Sequence, residues 1–98
     1  MKIVFSDDEL ALIETDEAGT TRLSIGVIKS ARRKLTVLRS SIDDRSLRNW
    51  KSLHYERLQV DRAGKRSIRL SDQYRMVFDL NEETEPQTVT ILAIEDYH

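Results

Sequence analysis

Apolar residues along residues 28–38 recur with the spacing of one face of an α-helix. Ile28, Ala31, Leu35 and Leu38 follow one another at intervals of three and four residues, which places them in one stripe of a 3.6-residue helix. The other side of this segment is basic, with Lys29, Arg32, Arg33 and Arg39. The pattern predicts an amphipathic helix that packs its apolar face on a core and that ends at Ser40–Asp44.

A shorter helical segment is predicted upstream of this helix. Lys2–Phe5 is short and mostly apolar, as in a strand, and Ser6 is followed three residues later by Glu9. This spacing is that of a capping box, so the helix is expected to begin at about Asp7 and to end near Gly19. Downstream of the long helix, the sequence predicts a single turn of helix around residues 44–48 and a core position for Trp50, the only tryptophan.

The second half of the chain changes to the two-residue period of β-strands. Four segments are predicted as strands: Leu53–Leu58, Arg66–Leu70, Tyr74–Leu80 and Val89–Ile94. The order of one strand, two helices and four strands predicts an α+β fold, in which the N-terminal strand joins a mainly antiparallel sheet of four to five strands. The two helices are expected to pack on one face of this sheet.

The hairpin between the second and third of these predicted strands places two arginines side by side. If Ile68 and Met76 share the core face, a three-residue loop must join the strands, because directly opposed residues point the same way. Arg69 and Arg75 are then cross-strand neighbours on the opposite face. Like charges opposed across a ladder are unfavourable, so the pair is suited to binding an anion between its members. The alternative is that both arginines extend into solvent or pair with acids of the chain, such as Asp79 and Asp96.

Length and composition narrow the class of protein. A chain of 98 residues with 39% hydrophobic and 34% charged residues predicts one globular domain. The absence of cysteine excludes disulfides, thiolate metal sites and a cysteine nucleophile. We expect no membrane segment and no secretory signal, and a cytoplasmic location follows as the default.

Charge is distributed unevenly, although the formal net charge is only −1. Fifteen of the 16 Lys and Arg residues lie between positions 22 and 75, whereas both ends of the chain are acidic. A basic centre of this kind can attract a polyanion to one surface of a nearly neutral molecule.

Three segments near the C-terminus carry a recognisable pattern. They are Gly64-Lys65-Arg66-Ser67-Ile68-Arg69, Asp72-Gln73-Tyr74-Arg75 and Glu95-Asp96-Tyr97-His98. In this order they resemble the HigB branch of the RelE/ParE superfamily of bacterial toxins. The resemblance implies a RelE-like microbial ribonuclease fold and a toxin that cuts messenger RNA on the ribosome in the bacterial cytoplasm. It also implies a HigA-like helix-turn-helix antitoxin as partner, with operator DNA bound only through the toxin–antitoxin complex.

The resemblance also assigns roles to individual residues. Arg75 corresponds to the strand arginine that binds the scissile phosphate, with Arg69 beside it, while Asp96, Tyr97 and His98 correspond to a terminal site for base stacking and proton transfer. The implied reaction, attack of a ribose 2′-OH on the adjacent phosphate, needs an acid, a base and cations but neither metal nor cofactor. Further RNA contacts are expected from basic and polar residues of the same region: Arg57, Arg62, Lys65, Arg66 and Gln73.

The sequence departs from the pattern of many relatives before the turn at Gly64. Glu56 and Gln59 stand where those relatives carry a histidine and a lysine, and His54 lies two residues upstream. In a regular strand His54 would share the face of Glu56, about 7 Å away, so His54 is a candidate replacement base; a structural role is the alternative. Arg57 has the charge of the missing lysine but would point to the opposite face.

Two other uses of the basic residues remain open. Lys29, Arg32 and Arg33 on the long helix would contact phosphates without sequence preference, or would bind acidic segments of an antitoxin. Two other functions also remain open: a ParE-like toxin that binds DNA gyrase without cleaving RNA, and a degenerate toxin that acts only as co-repressor with its antitoxin.

Overall fold

A computed structural model describes residues 1–58 and 64–96 of the chain. Its five strands are β1 Lys2–Phe5, β2 Glu56–Arg57, β3 Arg66–Arg69, β4 Tyr74–Asn81 and β5 Thr88–Asp96. They form one sheet in the order β1-β5-β4-β3-β2, in which β1 is parallel to β5 and all other pairs are antiparallel. The predicted α+β architecture with an N-terminal strand in a mainly antiparallel sheet is confirmed.

The described residues form three α-helices and three short 3₁₀ segments. The α-helices are α1 Asp8–Ala11, α2 Ile25–Ser40 and α3 Asp44–Asn49, and the 3₁₀ segments are Leu12–Glu14, Ala18–Thr21 and Lys51–Leu53. None of the helices within the described ranges has the length and apolar character needed to cross a membrane.

Helix α2 packs its predicted apolar stripe on the sheet. Its predicted inward positions, including Leu35 and Leu38, are buried in one core with Ile68, Met76 and Phe78 of the sheet. Ser24 caps the helix by accepting a hydrogen bond from the Val27 N–H at 3.2 Å. The Ser30 hydroxyl donates to the Leu70 carbonyl at 2.7 Å, so α2 is tied to the β3–β4 hairpin as well as packed beneath it.

The N-terminal helical segment differs from the prediction. Ser6 does not cap it, because the Ser6 hydroxyl donates to the Leu92 carbonyl at 3.4 Å and the Ser6 N–H donates to Ile91 O, which continues the pairing of β1 with β5. Asp7 is the cap instead and accepts from the Leu10 N–H at 2.9 Å. The expected single helix up to Gly19 is replaced by the short α1 and two separate 3₁₀ segments.

The predicted strand Leu53–Leu58 is wrong over its first half. Lys51–Leu53 forms a 3₁₀ turn, and His54 ends it in the left-handed conformation, with φ 48° and ψ 48°. Only Glu56–Arg57 pairs as a strand. The core position expected for Trp50 is also wrong: Trp50 is 51% exposed, because Leu47 and Leu53 on either side of it are the residues buried in the core.

Candidate active site

The β3–β4 hairpin has the predicted register. Ile68 is paired with Met76 and Arg69 with Arg75. The loop is closed by Ser71, whose hydroxyl accepts hydrogen bonds from the N–H groups of Gln73 and Tyr74 at 3.2 and 3.1 Å. The odd loop length therefore places both arginines on the sheet face opposite the helices, as predicted from the rule that directly opposed residues point the same way.

His54 lies beside the arginine pair at the β2 edge of the sheet. Its ring Nε2 is 3.4 Å from Arg69 Nη1, and its carbonyl accepts a hydrogen bond of 2.6 Å from Arg75 Nη2. A guanidinium can only donate, so any hydrogen bond between these two groups has the ring nitrogen as its acceptor. The left-handed backbone of His54, uncommon outside glycine, turns the chain so that carbonyl and ring both face the arginines.

Arg75 is the more constrained of the two arginines. Its side chain is 10% exposed, its Nε donates to Ser67 Oγ at 3.0 Å, and its Nη2 lies 3.5 Å from Glu56 Oε1. Together with the bond to the His54 carbonyl, these contacts orient the guanidinium. Glu95 is its direct cross-strand neighbour on β5 and Glu56 lies on β2, so carboxylates from two strands lie on either side of this cation.

Arg69 is the more accessible arginine. Its side chain is 38% exposed, and its Nη2 forms an ion pair with Asp72, a carboxylate that is almost fully exposed in the hairpin loop. An exposed ion pair of this kind is weak and is readily exchanged for another anion. Arg69 can therefore give up Asp72 and bind an external phosphate without unfolding any part of the sheet.

The two arginines and the histidine line one depression. It has a volume of about 260 Å³ and is formed by His54, Arg69, Ser71, Asp72 and Arg75. Two guanidinium groups provide up to five donors each in a planar arrangement that matches phosphate oxygens. An imidazole at their edge adds a group that can accept or donate a proton. Anion binding combined with proton transfer is the chemistry that this arrangement supports.

Arg57 and Arg66 do not belong to this depression. They are cross-strand partners on the helix side of the sheet. Arg66 is 8% exposed and donates to the Tyr55 hydroxyl at 2.9 Å and to the Gly64 carbonyl at 3.1 Å. The guanidinium of Arg66 is thus engaged inside the protein, and its expected RNA contact stays a prediction.

Asp44 of α3 is the carboxylate at the centre of this second arginine cluster. It accepts a hydrogen bond of 3.0 Å from the Tyr55 hydroxyl, and its Oδ2 lies 3.8 Å from Arg57 Nη2. Burial, reinforced by the negative charge of Asp44, raises the pKa of the Tyr55 phenol. Arg57 faces Asp44 rather than the depression and its side chain is 51% exposed, so its RNA contact stays a prediction.

The remaining predicted site residues are distributed around the hairpin. Lys65 Nζ lies 3.7 Å from Asp79 Oδ2. Gln73 Nε2 donates to Asp96 Oδ2 at 3.2 Å, and Asp96 is paired with Tyr74. By strand alternation Asp96 therefore shares the face of Tyr74 and not that of Arg75; its expected part in the terminal site stays a prediction. Arg62, Tyr97 and His98 lie outside the described residues.

The basic face of α2 is partly used within the fold. Arg32 donates to the carbonyls of Ile13 and Thr15 at 2.7 and 2.9 Å. Arg39 makes a two-bond ion pair with Glu14 at 2.5 and 2.6 Å, and this hydrogen bonding lowers the pKa of the Glu14 carboxyl. The expected phosphate contact of Arg32 is thus replaced by a structural one, whereas Lys29 and Arg33 stay exposed.

Sequence reasoning missed three polar residues of the site. Ser67 had a usable signal, because it lies two residues before Arg69 in the same strand and therefore on the same face. Asp72 also had one, since it follows Arg69 by three residues across a tight loop. Glu56 had none, because its position opposite Ser67 depends on the register of β2. Within residues 1–58 and 64–96, no group of three or more metal-ligating side chains is assembled.

No protein-family model and no curated protein matches the chain. Solved structures do match. The YoeB/ParE toxin from Agrobacterium tumefaciens is 16% identical, with a TM-score of 0.62 and full coverage of both chains. The YoeB dimer from Staphylococcus aureus is 18% identical, with a TM-score of 0.52 over 100% of this chain and 97% of that one.

A third similar structure is a chain of the toxin–antitoxin complex RelBE2 from Mycobacterium tuberculosis. It is 19% identical and gives a TM-score of 0.48, covering 98% of this chain and 96% of that one. The first two similarities extend over essentially whole chains and agree with the sheet order and helix placement described above. The chain therefore has the fold of the YoeB and ParE toxins.

Proposed function

We propose that this chain is the toxin of a type II toxin–antitoxin system and that it is a HigB-like, ribosome-dependent messenger RNA endonuclease. The observation that carries the proposal is the meeting of His54, Arg69 and Arg75 in one depression. These residues come from a 3₁₀ turn and two strands, and together they offer a phosphate site with a titratable imidazole at its edge.

The proposed reaction is an internal phosphoryl transfer. His54 Nε2 takes the proton of a ribose 2′-OH, and the 2′-oxygen attacks the adjacent phosphorus. The bond from phosphorus to the 5′-oxygen breaks, which leaves a 2′,3′-cyclic phosphate, and the 5′-oxygen takes up a proton. Arg69 and Arg75 stabilise the additional negative charge of the phosphorane, a contribution that grows in the transition state.

The terminal segment supplies the second proton-transfer group in this proposal. The motif resemblance assigns that role to Tyr97 and His98, which follow directly after β5. Asp96 acts as a positioning residue: its bond to Gln73 fixes the end of β5 against the hairpin loop.

The partners proposed for the chain follow from the same motif resemblance. They are a HigA-like helix-turn-helix antitoxin, the ribosome with its messenger RNA, and operator DNA bound through the antitoxin complex. The acidic ends and basic centre of the chain are consistent with such polyanionic targets.

A second candidate function is gyrase binding without RNA cleavage. The observation that favours it is the burial of Arg75, whose guanidinium is already held by Ser67, the His54 carbonyl and Glu56. In that case Arg75 would be a structural residue, and the depression would serve as a docking surface.

The decisive experiment is induction of the chain in bacteria, followed by primer extension on a reporter messenger. Arg69→Gln is the informative variant, because Arg69 is partly exposed and its loss leaves the core intact. We expect new 5′ ends with the wild type and a loss of cleavage of about 10²-fold or more with Arg69→Gln. Arg45→Gln is the matched control, since Arg45 lies on α3, is exposed and pairs only with Asp43 among the described residues.

Two other results would contradict the ribonuclease, and a third would contradict the placement of its active site. Growth arrest with intact messenger and DNA breaks would support the gyrase function. Harmless overexpression would support a co-repressor. Equal cleavage by the wild type and Arg69→Gln would move the active site away from the depression.

A further inference from the structure

Trp50 lines a second depression, on the helix side of the molecule. This depression has a volume of about 210 Å³ and is formed by Arg33, Lys34, Val37, Trp50, Ser52 and Leu53. Half of the Trp50 surface is exposed there, although tryptophan is the largest side chain available to the core. A flat aromatic ring next to the aliphatic Val37 offers a stacking surface that the fold itself does not use.

Two cations at this depression have no side-chain partner among the described residues. Arg32 and Arg39 of the same helix are bonded to the N-terminal segment, but Arg33 and Lys34 make no side-chain hydrogen bond or ion pair with the described residues. Burial, together with the adjacent Arg33 guanidinium, lowers the pKa of Lys34. A negatively charged ligand between these two side chains would give both cations a partner and would favour the charged form of Lys34.

The second depression adjoins the candidate active site. Leu53 lines the second depression and His54, the next residue, lines the first. Trp50 and His54 stand at the two ends of the 3₁₀ turn Lys51–Leu53, and with a rise of about 2 Å per residue this turn separates them by about 8 Å along the chain. An RNA strand that passes over this turn would contact both depressions.

We propose that the Trp50 depression is a subsite for single-stranded RNA, in which a base stacks on Trp50 and Arg33 and Lys34 bind a neighbouring phosphate. The inference rests on the proposed function, because it assumes that the RNA cut at His54 and Arg69 continues across the turn. RNA fits both features, since each nucleotide carries one negative charge and one flat ring. An acidic peptide has the charge but only occasionally a planar side chain.

Trp50 is the only tryptophan, so its fluorescence reports on this depression alone. The full chain is titrated with a short 2′-O-methyl RNA, which cannot be cleaved because it has no free 2′-OH. We expect saturable quenching of Trp50 by this RNA and none by inorganic polyphosphate, which has the charge but no bases. Quenching by a peptide of alternating Glu and Leu, with no response to RNA, would overturn the proposal in favour of a polypeptide partner.

Binding of the same RNA with a fluorescent label measures the two contributions separately. Trp50→Ala is expected to raise the Kd about 5- to 100-fold, the effect of losing one stacked base. The control is Ile42→Ala, since Ile42 is also a large exposed apolar residue and does not line the depression. An unchanged Kd for Trp50→Ala would overturn the stacking role.

The double variant Arg33→Gln with Lys34→Gln tests the phosphate contact. We expect the slope of log K against log salt to fall in magnitude by about 0.7, the value for one lost phosphate contact on a single strand. Lys2→Gln with Arg45→Gln removes the same charge at two exposed positions elsewhere and should leave the slope unchanged. Equal slopes for the two double variants would contradict the contact.

The experiments distinguish failure of the RNA subsite from failure of the ribonuclease. If the wild type cleaves messenger and Trp50→Ala binds and cleaves as well as the wild type, the subsite is wrong and the ribonuclease stands. If the wild type cleaves nothing but RNA quenches Trp50 and Trp50→Ala weakens binding, the ribonuclease is wrong and the subsite stands.

Discussion

Two pairs of arginines face each other across neighbouring strands, one pair on each face of the sheet. Arg57 is opposed to Arg66 on the helix side, and Arg69 is opposed to Arg75 on the other side. Like charges in directly opposed positions destabilise a sheet, so each pair needs compensating negative charge or hydrogen-bond acceptors. The two pairs obtain them in different ways.

On the helix side the acceptors are parts of the folded core. The phenol of Tyr55, the carbonyl of Gly64 and the carboxylates of Asp44 and Glu82 surround the pair. This cluster of Arg57 and Arg66 with Asp44, Tyr55 and Glu82 is called the internal cluster below. Arg66 is nearly buried and is held by the Tyr55 phenol and the Gly64 carbonyl, whereas Arg57 is about half exposed and lies 3.8 Å from Asp44. The cluster therefore contributes to stability chiefly through Arg66.

On the other face the compensation is incomplete and partly replaceable. Arg75 is held by fixed groups, but Arg69 has only the exposed Asp72 and the ring of His54 among the described residues. The comparison shows that opposed arginines do not by themselves mark a binding site. What distinguishes a site is whether the acceptor of at least one arginine can be exchanged for a ligand.

The largest effect expected from this comparison is the loss of the internal guanidinium. Arg66→Met keeps the aliphatic stem but removes three polar contacts of a nearly buried side chain. We expect the free energy of unfolding to fall by about 2–3 kcal/mol. Urea denaturation measures this value, with Arg69→Met as the matched variant of the other pair. A change for Arg69→Met as large as that for Arg66→Met would contradict the division of roles.

A smaller effect is expected for the phenol inside the internal cluster. Tyr55→Phe removes the hydroxyl that donates to Asp44 and accepts from Arg66, and we expect a loss of about 1 kcal/mol. The variant also changes the pH dependence. The folded state raises the pKa of Tyr55 above its ordinary value of 10.0. The stabilisation contributed by the Tyr55 hydroxyl is therefore fully present below pH 10 and is lost as the pH rises through the raised pKa.

The difference between wild type and Tyr55→Phe isolates this group from the lysines that titrate in the same range. Thermal unfolding at pH 8 and above pH 10 should show the two proteins converging at high pH. A constant difference across this range would show that the phenol ionises equally easily in the folded and unfolded chain.

The sequence was sufficient to predict the pairing of Arg69 with Arg75 but not that of Arg57 with Arg66. The hairpin from Ile68 to Met76 is local, so loop length and alternation determine the register. The register of β2 against β3 depends on where the chain returns after the 3₁₀ turn at Lys51–Leu53, and alternation within Leu53–Leu58 gave no sign of that turn. Arg57 and Arg66 were therefore expected to contact RNA, although they face Asp44 and Tyr55.

Exposure of single residues was the other property that periodicity did not predict. Trp50 was assigned to the core on the general behaviour of tryptophan, but Leu47 and Leu53 already fill the space beside it. Arg32 and Arg33 look alike in the sequence, yet one is bonded to the carbonyls of Ile13 and Thr15 while the other lines the Trp50 depression. Such differences arise from the placement of segments distant in the chain, which a repeat of 3.6 residues does not encode.

The smallest effect is expected at Asp72, the exchangeable acceptor of the pair of Arg69 and Arg75. Asp72→Asn removes the carboxylate that pairs with Arg69 while keeping the size of the side chain. Because this carboxylate competes with an external anion, we expect the variant to bind inorganic phosphate about two- to fivefold more tightly, in proportion to the strength of an exposed ion pair. Calorimetric titration at low salt measures this change.

Glu83→Gln is the control for this measurement, since Glu83 is an exposed acid in the loop between β4 and β5. It changes the net charge by the same amount, so a general effect of charge would strengthen phosphate binding equally in both variants. Tighter binding confined to Asp72→Asn would show that Arg69 exchanges its internal partner for the ligand. Weaker binding in Asp72→Asn would mean that Asp72 orients Arg69 toward the anion. The pair of Arg69 and Arg75 would then depend on a fixed acceptor, as the internal cluster does.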